Sequence, residues 1–309
     1  MGVKLETDFL GLKLNNPTVL ASGIMGVNVA ALSRAEKGGA GAVTIKSITK
    51  NPRKGHPNPI VADVGDGLLN AVGYSNMGVE AAVEEYADVG KRVSVPVIAN
   101  VVGTDAKDFA YLAKKMSGLG FSAVEVVLSC PHTPGYGLLA GHSTPEATHE
   151  ITSKVRDAVK LPLIVKLSPN TQELGKVAKA AQDAGADAIN MGNTLGPGLR
   201  IDPVLKRPVL GYGPGGLSGP ALKPVAVRCV WDVYESVSIP IIGTGGVTPG
   251  LDAVEMLMAG ASAVGVGTAV YLRGVDCFKL ISKELTSFMK ENGYSKVKEL
   301  TGAAHGGKK

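Results

Sequence analysis

The chain has 309 residues, 45% of them hydrophobic, which is enough to bury the core of a large globular domain. Its net charge of +5 arises from 32 basic residues scattered among 27 acidic ones, without the basic, aromatic-interleaved stripe of a nucleic-acid-binding surface. The sequence contains neither a secretory signal nor an apolar run long enough to span a bilayer, so we expect a cytoplasmic protein without a membrane partner.

Three cysteines, Cys130, Cys229 and Cys277, are widely separated in the sequence. They form no CxxC motif and cannot supply the four thiolates of an iron–sulfur cluster. No disulfide framework is indicated, which fits a reducing compartment. The sequence also contains no His, Asp or Glu set with metal-ligand spacing, which disfavours a metal-dependent hydrolase.

The order of secondary-structure patterns predicts a single α/β domain over residues 1–309. Residues 3–14 alternate polar and apolar side chains around Gly11, which predicts a hairpin covering the bottom of a barrel. Helical patterns, such as 27–38, 174–184 and 222–235, separate the strand patterns, and Ala-Gly-Ala at 184–186 and 259–261 predicts a glycine that ends each preceding helix. Eight apolar segments have the pattern of buried strands, at 18–22, 42–46, 96–100, from 125 towards Cys130, 163–166, 188–191, 240–243 and 263–266.

Eight strands that alternate with helices predict a (β/α)8 TIM barrel with an N-terminal β-hairpin. Two connections are long and show no regular pattern, residues 47–76 after the second strand and 194–218 after the sixth. Connections of this length are usually functional, so we expect them to lie over the C-terminal mouth of the barrel. The glycine-rich segment 132–142 after the fourth strand is suited to a mobile cover of the same mouth.

Cys130 directly follows the fourth predicted strand, which breaks at Ser-Cys-Pro because proline cannot continue a central strand. A free cysteine is most often a buried structural residue. Here the position at a strand's C-terminal end, where barrels carry their chemistry, favours a catalytic thiol acting as acid or base.

Three glycine tracts, at 215–219, 243–246 and 265–267, stand where barrels bind phosphate through backbone N–H groups. Lys46 and Lys166 directly follow apolar strand patterns, where a merely solvated lysine is less expected. Flavin mononucleotide (FMN) fits this set, because its phosphate would lie on the glycines and a lysine would stabilise the reduced ring.

Several motifs, in this order, resemble class 1 dihydroorotate dehydrogenases, and most of all the class 1B catalytic subunit. They are Ala21-Ser22-Gly23, Lys46-Ser47, Leu69 to Gly73, Ile98-Ala-Asn100, Ser129-Cys130-Pro131, Val165 to Asn170, Asn193-Thr194, Gly216 to Pro220 and Gly243 to Gly246. The resemblance implies FMN-dependent oxidation of (S)-dihydroorotate to orotate in de novo pyrimidine (UMP) biosynthesis. Cys130 would remove the C5 proton while hydride passes from C6 to N5 of FMN.

The resemblance also assigns site residues. Positions implied to bind substrate are Lys46, Asn70, Ala71, Val72, Gly73, Tyr74, Asn193 and Thr194. Positions implied to bind the flavin are Ser22, Lys46, Ser47, Asn100, Lys166, Gly192, Gly219, Gly245, Gly246, Gly267 and Thr268. The class 1B pattern further implies a homodimeric core with two partner subunits, a heterotetramer in which the partner carries FAD and a [2Fe–2S] cluster and passes electrons to NAD.

Two departures from the family's pattern keep more than one function open. The family usually reads Glu-Leu-Asn-x-Ser-Cys-Pro-Asn, and this chain has Val127 and His132 in place of the two asparagines. Histidine at the second position is also familiar in dihydropyrimidine dehydrogenases, which act on uracil and thymine. A class 1A enzyme that uses fumarate is a third interpretation. A flavin- or phosphate-binding barrel without chemistry is a fourth, against which Cys130 and Lys166 argue.

Overall fold

The computed structural model describes residues 2–130 and 133–306, and its elements alternate between strands and helices as predicted. The strands are β1 (Thr7–Phe9), β2 (Leu12–Leu14), β3 (Thr18–Leu20), β4 (Ala42–Thr44), β5 (Val61–Asp63), β6 (Leu68–Asn70), β7 (Val97–Val101), β8 (Ala123–Val127), β9 (Leu163–Leu167), β10 (Ala188–Met191), β11 (Leu195–Gly198), β12 (Ile201–Asp202), β13 (Arg207–Pro208), β14 (Gly215–Ser218), β15 (Ile241–Thr244) and β16 (Ala263–Val266). The α-helices are α1 (Val29–Lys37), α2 (Val79–Glu85), α3 (Val89–Arg92), α4 (Ala106–Ser117), α5 (Pro145–Ala158), α6 (Leu174–Asp183), α7 (Lys223–Ser236), α8 (Gly250–Met258), α9 (Ala269–Arg273) and α10 (Cys277–Glu291).

Eight parallel strands close into a barrel in chain order, β3, β4, β7, β8, β9, β10, β15 and β16, with β16 pairing back onto β3. The predicted TIM barrel is therefore confirmed. The first two barrel strands end two residues earlier than predicted, so Ser22 and Lys46 lie just beyond the strand ends. The C-terminal ends of parallel strands meet at one mouth, which brings the residues that follow them together.

The N-terminal hairpin of β1 and β2 covers the opposite, N-terminal end of the barrel, as predicted. Phe9 and Leu14 pack against a layer of inward-pointing apolar side chains that each barrel strand contributes. The members of this layer are Val19, Ala42, Ile98, Ala123, Ile164, Ala188, Ile242 and Ala263. Because these side chains and the hairpin fill the bottom, only the top of the barrel is left for a ligand.

The two long connections are not without regular structure, which corrects the prediction. They supply β5, β6, β11 and β14, which form an antiparallel sheet of their own in the order β11-β14-β6-β5, and β12 pairs with β13. In this sheet Asn70 lies opposite Gly216, far away in the sequence. Strands of two to four residues rich in glycine and proline carry too little periodicity to be recognised before their partners are known.

Side-chain caps and glycines mark several helix ends. Asn28, Asp105 and Thr144 cap the N-termini of α1, α4 and α5 by accepting backbone N–H bonds. Gly185 and Gly260 follow α6 and α8 with φ of +95° and +121°, as predicted for glycines that end a helix. Within the described residues, no helix is both long and apolar enough to cross a bilayer.

Candidate active site

A cavity opens at the C-terminal mouth of the barrel, between the barrel strands and the additional antiparallel sheet. Together with its solvent-open entrance, the cavity spans about 1240 Å³. Most predicted site residues line it: Ser22, Lys46, Ser47, Asn70, Val72, Gly73, Tyr74, Cys130, Lys166, Gly192, Asn193, Thr194, Gly219, Gly245, Gly246, Gly267 and Thr268.

Two predicted site residues do not line the cavity. The Ala71 side chain is buried beside Leu69 and Leu210, and only the neighbouring residues of its segment face the cavity. Asn100 is fully buried in β7, beneath the cavity wall. The predicted roles of Pro131 and His132 lie outside the described residues.

Cys130 lies three residues beyond the end of β8, where it is 5% exposed and lines the cavity. The following segment folds back over it, because Leu138 N–H donates to the Cys130 carbonyl at 2.9 Å. Gly137 packs so closely that a Cβ there would lie 2.3 Å from the Cys130 nitrogen, and its φ is +54°. Only glycine satisfies both conditions. The predicted cover is therefore in direct contact with the candidate catalytic residue.

Tyr74 is a neighbour of Cys130 at the cavity wall, and its hydroxyl group is buried without a hydrogen-bond partner among the described residues. Its backbone has φ of +55°, an uncommon conformation for a bulky residue, and its ring contacts the Tyr136 ring at 5.5 Å. The Arg53 guanidinium group lies 4.8 Å from the centre of the Tyr136 ring and holds it in place. Burial, followed by the neighbouring Cys130, raises the pKa of Tyr74 well above its usual value, so its phenol stays neutral.

Lys46 and Lys166 place two cationic groups at the cavity wall. Lys166 Nζ donates to Ser22 Oγ at 3.0 Å and lies 3.9 Å from Glu125 Oε1. Burial, followed by the charge of Lys166, lowers the pKa of Lys46 to about 8, while Cys130 acts in the opposite direction. Lys46 lines the cavity together with Lys166, so its ammonium group is available to an anionic ligand.

Two asparagine side chains are oriented by local hydrogen bonds. Asn70 Nδ2 donates to the Gly216 carbonyl at 3.1 Å, across the pairing of β6 and β14. Asn193 Nδ2 donates to Ser129 Oγ at 2.7 Å, and its Oδ1 accepts from Thr194 N–H at 2.8 Å. These bonds fix the orientation of both side chains, and they leave the Oδ1 atom of Asn70 available to a ligand.

The glycines after β15 and β16 form a nest of backbone donors. The N–H groups of Gly245, Gly246, Gly267 and Thr268 have no acceptor among the described residues, although all four residues line the cavity. Gly246 has φ of +78°, and a Cβ there would lie 2.6 Å from Lys223 Cβ, so the loop requires glycine. Four unpaired N–H groups beside one cavity are suited to a phosphate or another anion.

Sequence reasoning missed a buried polar cluster beneath the cavity, made of Glu125, Asn190 and Thr244 together with Asn100 and Lys166. Asn100 Nδ2 and Asn190 Nδ2 each donate to the Glu125 carboxylate at 2.5 Å, and Thr244 Oγ1 donates to Asn190 Oδ1 at 2.8 Å. Each member lies two positions after the apolar inward-facing residue of its strand. Because side chains two residues apart in a strand point to the same face, this spacing could have predicted the cluster from the sequence.

Comparison with known proteins agrees with this geometry. The family model for dihydroorotate dehydrogenase matches residues 4–289. The chain belongs to the dihydroorotate dehydrogenase family. Members of this family are flavoprotein oxidoreductases, so the protein is an enzyme of the dihydroorotate dehydrogenase type.

The chain is similar to archaeal proteins named dihydroorotate dehydrogenase B (NAD(+)), catalytic subunit. It is 46% identical to the one from Methanothermobacter thermautotrophicus and 44% identical to the one from Methanocaldococcus jannaschii, over 97% of this chain and 98% of each relative. Among solved structures, DHODH from Eimeria tenella in complex with ferulenol has a TM-score of 0.86 at 24% identity, covering 98% of this chain and 89% of that chain. At that identity the likeness shows the fold alone.

Proposed function

We propose that the chain, as one FMN-binding barrel domain over residues 1–309, oxidises (S)-dihydroorotate to orotate in pyrimidine biosynthesis. The observation that carries the proposal is the convergence of the Cys130 thiol, the Lys46 ammonium group and the nest of backbone N–H groups on one cavity. A thiol base, a cation for a carboxylate and a phosphate cradle are the three functions that this reaction needs.

The residues that line the cavity have the chemistry that FMN binding requires. The unpaired N–H groups of Gly245, Gly246, Gly267 and Thr268 would hold its phosphate, and Ser22, Ser47, Lys166, Gly192 and Gly219 line the rest of the wall. Asn100 would act from beneath, since its Oδ1 is buried without a hydrogen-bond partner among the described residues. When bound, FMN supplies the acceptor for the hydride that leaves C6 of the substrate.

The chain's own residues bind the substrate and remove its proton. Cys130 takes the C5 proton, and the neutral Tyr74 hydroxyl beside it can donate a hydrogen bond to the thiolate or the substrate. Lys46 binds the carboxylate, because it is a cationic side chain at the cavity wall. Asn70, Asn193 and Thr194, with the segment from Ala71 to Gly73, orient the pyrimidine ring through the amide atoms that their internal bonds leave available.

One observation favours a second candidate, the oxidation or reduction of uncharged dihydropyrimidines. Val127 lines the cavity at the position where the family usually has asparagine, and it offers no hydrogen-bonding atom. A polar substrate group left unpaired against it would lose about 1–3 kcal/mol. The cationic wall around Lys46 argues for the charged substrate and makes dihydroorotate the first choice.

Reoxidation of the reduced FMN would use a partner subunit. The names of the archaeal relatives include NAD(+) and the words catalytic subunit, which for those proteins implies another subunit. We propose that a dimer of this chain binds two copies of a subunit with FAD and a [2Fe–2S] cluster in the cytoplasm. Rapid turnover of the isolated chain with fumarate would instead place it with the class 1A enzymes, whereas turnover with artificial dyes but not with fumarate supports the partner.

The test is anaerobic addition of substrate to the purified protein. Flavin absorbance should be present as isolated or after refolding with FMN, and dihydroorotate should bleach it while dihydrouracil does not. Cys229→Ala, which removes a buried thiol of α7 that does not line the cavity, serves as a control for nonspecific damage. Bleaching by dihydrouracil alone would promote the second candidate, and protein that takes up no FMN would refute the cofactor.

A further inference from the structure

The barrel interior becomes polar two residues along the strands beyond its apolar bottom layer. At that level five of the strands contribute the polar residues Asn100, Glu125, Lys166, Asn190 and Thr244, and Lys166 and Thr244 reach the cavity wall. Glu125 is 0% exposed, and a carboxyl group so deep in a barrel is costly unless its oxygens are fully paired. Packing alone therefore does not explain why these polar side chains are buried here.

Glu125 accepts hydrogen bonds from both asparagines of the layer. Its Oε1 accepts from Asn100 Nδ2 and its Oε2 from Asn190 Nδ2, each at 2.5 Å. Both asparagines must then turn their Oδ1 atoms away from it. Asn190 Oδ1 consequently accepts from the Thr244 hydroxyl at 2.8 Å, and Asn100 Oδ1 is left without a partner among the described residues.

The same carboxylate carries a charge that reaches the cavity wall. Lys166 Nζ lies 3.9 Å from Glu125 Oε1, and the lysine side chain is only 6% exposed. Lys166 and Thr244 both line the cavity, so Glu125 acts on its wall at two points, once by charge and once by hydrogen bonding through Asn190. Between charges buried this deeply, screening by water and salt is weak.

We infer that Glu125 is a positioning residue that sets the electrostatic potential of the cavity floor, partly neutralising Lys166 and thereby lowering the tendency of a bound flavin to accept electrons. This inference rests on the proposed function, because it requires FMN to bind in the cavity that Lys166 lines. A negative charge beneath a site opposes the accumulation of negative charge within that site.

The experiment is the midpoint potential of the bound FMN in Glu125→Gln, measured against reference dyes without substrate. Glutamine keeps the size of the side chain, removes its charge and offers only one acceptor oxygen. The potential should become more positive, shifting the equilibrium towards reduced flavin on the order of tenfold, as one unit charge does across about 10 Å of protein. Glu150→Gln, the same change on the exposed surface of α5, should leave the potential unaltered.

Two further variants separate charge from structure. Lys166→Met should shift the potential in the negative direction, and the double variant with Glu125→Gln should recover part of that shift. A Glu125→Gln protein with a lower unfolding midpoint and an unchanged potential would overturn the inference, because only a structural role would remain. If Glu125→Gln fails to fold, the double variant replaces it, and a potential equal to that of Lys166→Met alone would overturn the inference equally.

Failure of the proposed function can be distinguished from failure of the role inferred for Glu125. Wild-type protein that binds no flavin refutes both the function and the inference, and it does so before any variant is made. A flavin-loaded variant with the wild-type potential refutes only the role of Glu125.

Discussion

Replacing Lys46 with methionine removes a charge that the fold keeps largely buried at the mouth of the barrel. Burial, and then the neighbouring charge of Lys166, lowers the pKa of Lys46 from 10.5 to about 8. In the unfolded chain the pKa of the lysine returns to its usual value. Protonated Lys46 is therefore less stable in the folded chain than in the unfolded one, and this free-energy difference opposes folding whenever the group is protonated in both states.

The magnitude follows from that difference. A lowering of about 2.5 pKa units, at about 1.4 kcal/mol for each unit, costs the folded protein about 3 kcal/mol at pH 7. The penalty is complete below about pH 8, falls to less than half by about pH 9.5 and vanishes above about pH 10.5, because the unfolded chain then also loses the proton. Wild-type stability should therefore rise across this pH window, and that of Lys46→Met should not.

Urea unfolding of flavin-free protein at pH 7 and pH 9.5 measures the effect. Lys46→Met should be more stable than wild type at pH 7 by up to about 3 kcal/mol, and by clearly less at pH 9.5. Lys154→Met, on the exposed face of α5, should change stability by no more than about 0.5 kcal/mol at either pH. A Lys46→Met protein that is less stable than wild type at pH 7 would refute the reasoning.

The same lysine should make orotate binding to the wild type weaken as pH rises through about 8, and Lys46→Met should lose both the affinity and its pH dependence. Cys130→Ala should fold and bind FMN, yet flavin reduction by dihydroorotate should slow at least ~100-fold in stopped-flow assays. Val127→Asn should raise the preference for dihydroorotate over dihydrouracil, measured as the ratio of flavin reduction rates. Gly246→Ala, whose Cβ would lie 2.6 Å from Lys223 Cβ, should weaken FMN binding by roughly tenfold in fluorescence titrations.

Two of these variants have matched controls within the chain. Cys229→Ala removes a buried thiol of α7 remote from the cavity and should leave flavin reduction unchanged. Gly293 has the same φ of +78° as Gly246, but a Cβ added there would meet nothing within 4 Å, so Gly293→Ala should keep its FMN affinity. Near-normal reduction by Cys130→Ala, or equal FMN affinities in the two glycine variants, would contradict the assigned roles.

The sequence alone determined the barrel, because each barrel strand is a short apolar run and each is followed by a helix with recognisable ends. It also located the residues that follow these strands, since parallel strands in a closed barrel must bring their C-terminal ends together. For this reason Cys130, Lys46, Lys166 and the late glycines could be assigned to one site before their distances were known.

Only the tertiary structure decided which of these groups interact. The pairing of Asn70 with Gly216 depends on strands too short to show a period, from segments far apart in the chain. The approach of Tyr74 to Cys130 depends on a left-handed backbone that no propensity favours for tyrosine. The bonds from Asn100 and Asn190 to Glu125 join strands β7, β8 and β10, and a closed barrel alone turns their side chains towards one point.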